Sequence, residues 1–156
     1  ATTSAVTFDR VTFSDTTHGI VGTTTNNNAA STYVGEVISN TATGVSITTN
    51  TATDITSISL TAGDWNVYGQ IGFAEDAGTT SDNRVGWISS TSATLPANLY
   101  QTTKNRTAIT SSDDSMVVPF IRISISGTTT VYLSAFMSFS ISTATVQGQI
   151  NARRVR

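Results

Sequence analysis

Apolar and polar side chains alternate most strictly along Ile55–Ala74, ITSISLTAGDWNVYGQIGFA. Ile58 and Leu60 lead into Thr-Ala-Gly-Asp, and Trp65, Val67, Ile71 and Phe73 leave it in one every-other-residue phase. In extended backbone that phase is a single face. The stretch therefore predicts strand, tight turn, strand: a β-hairpin in which Gly63 gives the backbone its freedom and Asp64 hydrogen-bonds its own backbone.

The last third repeats the pattern. Val117, Pro119, Ile121, Ile123 and Ile125 share one phase. After Ser-Gly-Thr-Thr, the residues Val131, Leu133, Ala135, Met137, Phe139 and Ile141 share another, and Val146, Gly148, Ile150 and Ala152 close the chain. Strands are also predicted over Thr32–Ser39, Val45–Thr48 and Arg84–Ser90, with TATG as the turn between the first two. Near the start, Val6 and Phe8 lie on one face and Val11 and Phe13 on the other, which predicts a bulge or turn at Asp9–Arg10. His18–Val21 adds a short strand. Small polar residues with nothing to bury make loops of Gly22–Ser31, Thr49–Asp54 and Glu75–Asn83. Thr91–Asp114 is the longest stretch without a pattern, and long loops in compact domains tend to be functional or partly structured. Many short strands divided by turn signals, with no credible helix, predict an all-β fold: one antiparallel β-sandwich spanning residues 1–156.

Composition strengthens this reading. Only 12% of the 156 residues are charged, against roughly 25% in ordinary soluble proteins. Thr and Ser take their place, and Thr suits a pleated surface. A disordered Ser/Thr stalk would share that bias, but 38% hydrophobic residues and only two Pro argue against it. A net charge of −2 gives no general attraction to nucleic acid or anionic membrane. Cysteine is absent, so stability rests on packing or oligomerisation. No apolar run approaches a membrane helix, so no membrane insertion is expected. The chain begins at Ala1 without Met, as a piece of a longer protein would.

Four large residues break the polar outer phase at mid-strand. Tyr68 opposes the Trp65 phase, Phe120 opposes Ile121, and Tyr132 and Phe136 oppose Leu133. Met116 and Val118 share the phase of Phe120. Scattered surface aromatics are ordinary, but on long central strands they would merge into a patch too large for a monomer. A homo-oligomer interface through Tyr68, Phe120, Tyr132, Phe136 and Met116 is the sharper expectation. Arg153 and Arg154 join it as partners for acids of a neighbouring chain; an anion-binding tip is their alternative role.

The search for catalysis finds little. His18 is the single histidine, and Ser is too abundant for a nearby one to mean anything. Glu75–Asp76 and Asp113–Asp114 are adjacent acids in Ser/Gly-rich segments, the usual solubilising arrangement and not the facing pair of a glycosidase. Calcium through Asp76 and Asp82 lacks the 12-residue loop pattern. No metal, cofactor or enzymatic activity is expected. Exposed aromatics beside planar polar groups are the residues that hold sugars. Trp87 with Arg84, and Tyr100 with Gln101, Lys104 and Asn105, are the leading candidates, and Tyr33 beside the Asn-rich loop is another. Val85 shares the phase of Trp87, so a core role competes there.

Three motifs, L-T-A-G-D-W-N-V-Y-G-Q-I-G-F, T-T-T-V-Y-L-S-A-F-M-S-F and Q-G-Q-I-N-A-R-R-V-R, resemble the C-terminal domains of tailed-phage fibre and tailspike proteins. The resemblance covers roughly the last hundred residues; Ala1–Thr53 matches nothing. The Gly-aromatic turn and the late V-Y-L strand are also similar to the jelly roll of the tumour-necrosis-factor and complement-collagen superfamily. These resemblances imply an extracellular virion domain, a homotrimer at a fibre tip that binds a host-surface polysaccharide or protein receptor without catalysis. A ligand-free capsid decoration or trimerisation domain and a carbohydrate-binding module of a larger enzyme are the alternatives.

Overall fold

Eight strands follow one another in the computed structural model, which describes residues 24–97, 100–110 and 112–156, with residues 106–109 as backbone only. They are β1 (Val37–Ile47), β2 (Thr53–Leu60), β3 (Gly63–Glu75), β4 (Thr80–Ser89), β5 (Gln101–Thr110), β6 (Asp114–Ile125), β7 (Thr129–Ser140) and β8 (Ala144–Arg154). The strands expected before residue 24, and His18, lie outside the described residues. Two four-stranded sheets form, ordered β1-β8-β3-β6 and β2-β7-β4-β5. Every neighbouring pair is antiparallel. This is the strand order of a jelly roll, the all-β sandwich that the alternation predicts.

Ile55–Ala74 supplies β2 and β3, but it is not a hairpin. β2 pairs with β7, while β3 pairs with β8 and β6 in the opposite sheet. Leu60 and Trp65 are both fully buried, so the turn carries the chain across the core between facing sheets. Alternation fixes which face is buried but leaves the pairing partner open. Gly63 is required for a second reason: at φ +144 it leaves the space where its Cβ would strike Arg154 Nη1. Asp64 does not turn back on its own backbone. Its carboxylate accepts from Arg122 Nε at 2.8 Å and Nη2 at 2.7 Å, and pairs with Arg156 Nε at 3.0 Å.

The core lies between the sheets. Trp65, Val67, Ile71 and Phe73 from β3 meet Leu60, Val131, Leu133, Met137, Val146 and Ile150, and the Trp65 Nε1–H donates to Thr61 O at 3.0 Å. The sheets pack tightly over the glycines at their centre: a Cβ at Gly86 would lie 2.6 Å from Ile71 Cδ1, and one at Gly69 2.7 Å from Leu133 Cδ1.

Several boundaries differ from the sequence pattern. The two short strands expected over Thr32–Ser39 and Val45–Thr48 are one strand, β1. TATG is a bulge within it: the register shifts between Ala42 and Val45, and Gly44 has φ +65. Much of Glu75–Asn83 is strand, leaving only a short turn after β3. Thr91–Asp114 contains β5, an edge strand whose polar outer face hides it from a hydrophobic pattern. In β6 the register shifts where Val67 faces Ile121 and Gly69 faces Val118, so Pro119 and Phe120 form a bulge. The bulge reverses the phase. Met116 and Val118 point into the core, and Val117 points out. Met116 is therefore a core residue and not an interface residue.

Candidate functional site

Each sheet presents an outer face, and the two differ in chemistry. On the β1-β8-β3-β6 sheet, Asn66 stands in register between Arg153 and Arg122. One row further along, Tyr68 (48% exposed) and Phe120 (62%) stand clear of the backbone. Val37 and Val117 are also exposed. Val37, Asn66, Tyr68, Phe120 and Arg153 surround a shallow depression of about 280 Å³. Among the described residues nothing covers these aromatic rings.

The opposite outer face is covered. Gly86 points into the core, so its neighbours Val85 and Trp87 point outward, yet both are buried. The connection after β4 lies over them. Asp54 holds it there: the Ser92 hydroxyl donates to Asp54 Oδ2 at 2.5 Å, and the Ala93 amide donates to Oδ1 at 2.8 Å. Ser134, the register partner of both Asp54 and Trp87, donates to the same carboxylate at 2.6 Å. Beyond this anchor Leu95 comes down beside Val85 and Phe136. Together with Asn83, Gln101, Thr103 and Asn105 they line a pocket of about 520 Å³.

This arrangement redistributes the sugar-binding candidates. Trp87 and Arg84 are fully buried and offer no face to a ligand. Gln101 and Asn105 do share one pocket, as their spacing on a strand requires. Lys104 points the other way and pairs with Asp114 at 2.7 Å. Tyr100 is exposed but lines a separate hollow with Pro96 and Ile121–Ile125 at the sandwich edge. Tyr33 is exposed in the turn before β1. The Asn-rich loop beside it is tied down, since Asn28 donates to Val37 O at 2.6 Å and accepts from its amide at 2.8 Å. Asn83 and Leu95 lie where the polar pattern predicts loop, so no periodicity marks them as pocket residues.

The interface candidates separate as well. Tyr68, Phe120 and Arg153 share the uncovered face. Tyr132 and Phe136 are half-buried on the other sheet, so the four aromatics do not form one patch. Arg154 is not on the surface: β8 alternates Val146, Ile150, Ala152 and Arg154 inward, and Arg154 is only 3% exposed. Its guanidinium stacks 4.2 Å from the Trp65 ring centroid, pairs with Glu36 at 2.9 Å and donates to Ala62 O at 2.8 Å. Its acid comes from its own chain.

The remaining charges are structural. Burial alone would raise the Glu36 pKa, but hydrogen bonds from Arg154 and the Thr32 amide outweigh it and hold the pKa below 4.5. Burial also opposes the net lowering of Glu75, which the Ser112 amide, Ser81 and Arg84 bring about. Asp114 is lowered too: Lys104 and the Ser115 amide overcome its desolvation. The Arg122 hydrogen bond is the largest influence on Asp64 and lowers it against burial. Asp76 accepts from the Thr143 hydroxyl. Among the described residues no three His, Cys, Asp or Glu side chains gather as metal ligands, and none of these carboxylates forms an open facing pair.

No protein-family model matches the sequence, and no curated protein does. Among solved structures the chain is similar to a chain in the structure of infectious bursal disease virus, Gx strain, at 14% identity and a TM-score of 0.48. The match covers 77% of this chain and 32% of that one. A chain of the T13 viral particle of the same virus is similar at 15% identity and a TM-score of 0.42, over 76% of this chain and 31% of that one. This chain thus spans about a third of the length of each. Likeness this remote assigns no family and carries no function across.

Proposed function

We propose that the chain is a non-enzymatic, self-associating jelly-roll domain of a virion, a phage fibre or spike tip, that contacts a host-surface glycan. The uncovered β1-β8-β3-β6 face carries the assembly half of this reading. Tyr68, Phe120, Val37 and Val117 are all exposed on this one sheet, a concentration of apolar side chains of the kind that marks association surfaces. Arg153 beside them has no ion-pair partner among the described residues, and an acid of a neighbouring copy would complete it. The three-fold count comes from the resemblance to trimeric fibre domains. The same resemblance supports the glycan half, and jelly rolls serve as both coat and lectin domains.

A mass measurement tests the assembly half. Light scattering at micromolar concentration gives about three times the chain mass, and Phe120→Glu reduces it to one chain while the far-UV circular dichroism keeps its β signature. A wild-type monomer would overturn the reading. A ligand-free decoration domain shares the interface, and it is preferred if the oligomer forms and an array of host-surface glycans finds no binder.

A further inference from the structure

We propose that the pocket on the outer face of the β2-β7-β4-β5 sheet binds an uncharged oligosaccharide. This deepens the glycan half of the function above and rests on it. Three primary amides converge there: Asn83 from β4, and Gln101 and Asn105 from β5, with Asn83 and Asn105 in direct register. A primary amide both donates and accepts, as a sugar hydroxyl does. The Thr103 hydroxyl stands between the two β5 amides. Leu95 and Phe136, over a floor that includes buried Val85, supply apolar surface against which the C–H face of a pyranose packs.

No ionisable side chain lines the pocket. A charged glycan would therefore lose its hydration there without gaining a counter-charge, so the site selects neutral sugars. Asn83 Oδ1 is buried, so the exposed amide of Asn105, its register partner, is the one that meets a ligand first. Four residue steps along the strand take Gln101 to Asn105, about 13 Å, which suits two linked rings better than one. The pocket volume of about 520 Å³ lies within the usual range for small-molecule sites.

The test uses the assembled wild-type protein on an array holding neutral, sialylated and sulfated oligosaccharides, followed by calorimetric titration with the strongest neutral binder. A neutral oligosaccharide binds. Its affinity falls at least tenfold in Asn105→Ala, and at least as far in Thr103→Trp, whose indole fills the pocket. Both positions are exposed on an edge strand, so the variants fold, and thermal melts check this. Affinity stays flat between about pH 5 and 9 and across added salt, since nothing in the pocket titrates or attracts ions. Binding restricted to charged glycans overturns the proposal. Binding that survives both variants but is lost in Tyr33→Ala overturns the pocket and leaves the receptor reading standing. No binding to any glycan overturns both.

Discussion

Arg154 shows how one residue's surroundings decide its role. As part of a terminal Arg-Arg-Val-Arg run it reads as a surface cation, yet the alternation of β8 turns it into the sandwich against Trp65 and Glu36. Removing one member of a buried pair strands the other, which costs about 3–5 kcal/mol. Arg154→Ala therefore loses a large share of the roughly 5–15 kcal/mol that holds a domain together, read in urea denaturation, while the double variant Glu36→Gln/Arg154→Met loses much less. The same contacts set the acid response. Glu36, Glu75, Asp64 and Asp114 all have folded pKa values below their ordinary 4.5 or 3.8. Groups lowered in this way stabilise the fold fully above those ordinary values and stop doing so as pH falls through the folded ones. The urea midpoint holds from pH 7 to about 5 and drops below about 4.5, and it drops less steeply in the double variant. A midpoint indifferent to pH 3.5 would show that these carboxylates are not held as described.

At the scale of elements, what was legible was burial phase, and what was hidden was pairing. Trp65, Val67, Ile71 and Phe73 face the core as their spacing requires, and so do Val131, Leu133 and Met137. Each of these strands has one apolar face, and that face alone fixes its orientation. Partners depend on where the connections lead, which no alternation records, so a sheet-to-sheet crossing at Thr61–Gly63 looks like a hairpin. Bulges erase phase locally. Pro119 was the available signal for the one in β6, since proline inside a sheet is confined to edges and bulges. β5 left no trace because an edge strand with a polar outer face needs no apolar repeat. Of the pocket, only Gln101 and Asn105 were legible, as planar polar groups near an aromatic, Tyr100. Asn83, Val85 and Phe136 come from neighbouring strands whose pairing no alternation records, and Leu95 from a connection whose anchor, Asp54, sits some forty positions earlier in the chain. That anchor is testable. Asp54→Ala removes three hydrogen bonds to a carboxylate, each worth about 1.5–3 kcal/mol at most, and frees the segment over Trp87. Tryptophan emission shifts to the red and iodide quenching rises, because Trp65 remains in the core. Unchanged emission would mean that something other than this segment buries Trp87.

For the whole molecule, the jelly roll places two unlike surfaces back to back. One sheet's outer face is bare and apolar around Tyr68 and Phe120; the other is roofed and carries the amide-lined pocket. A domain that used one face for both assembly and ligand would bury its own site, and the separation removes that conflict. If the bare face joins copies, folding and association are linked, and stability depends on protein concentration. Each tenfold rise in concentration then adds close to 1 kcal/mol per chain in a trimer, which raises the melting temperature by about 2–4 °C at this chain length. Wild-type melts at 1, 10 and 100 µM should climb by that step, while Phe120→Glu melts at one temperature throughout. A wild-type melting temperature that ignores concentration, with the assembled mass still present, would place the association outside the unfolding reaction.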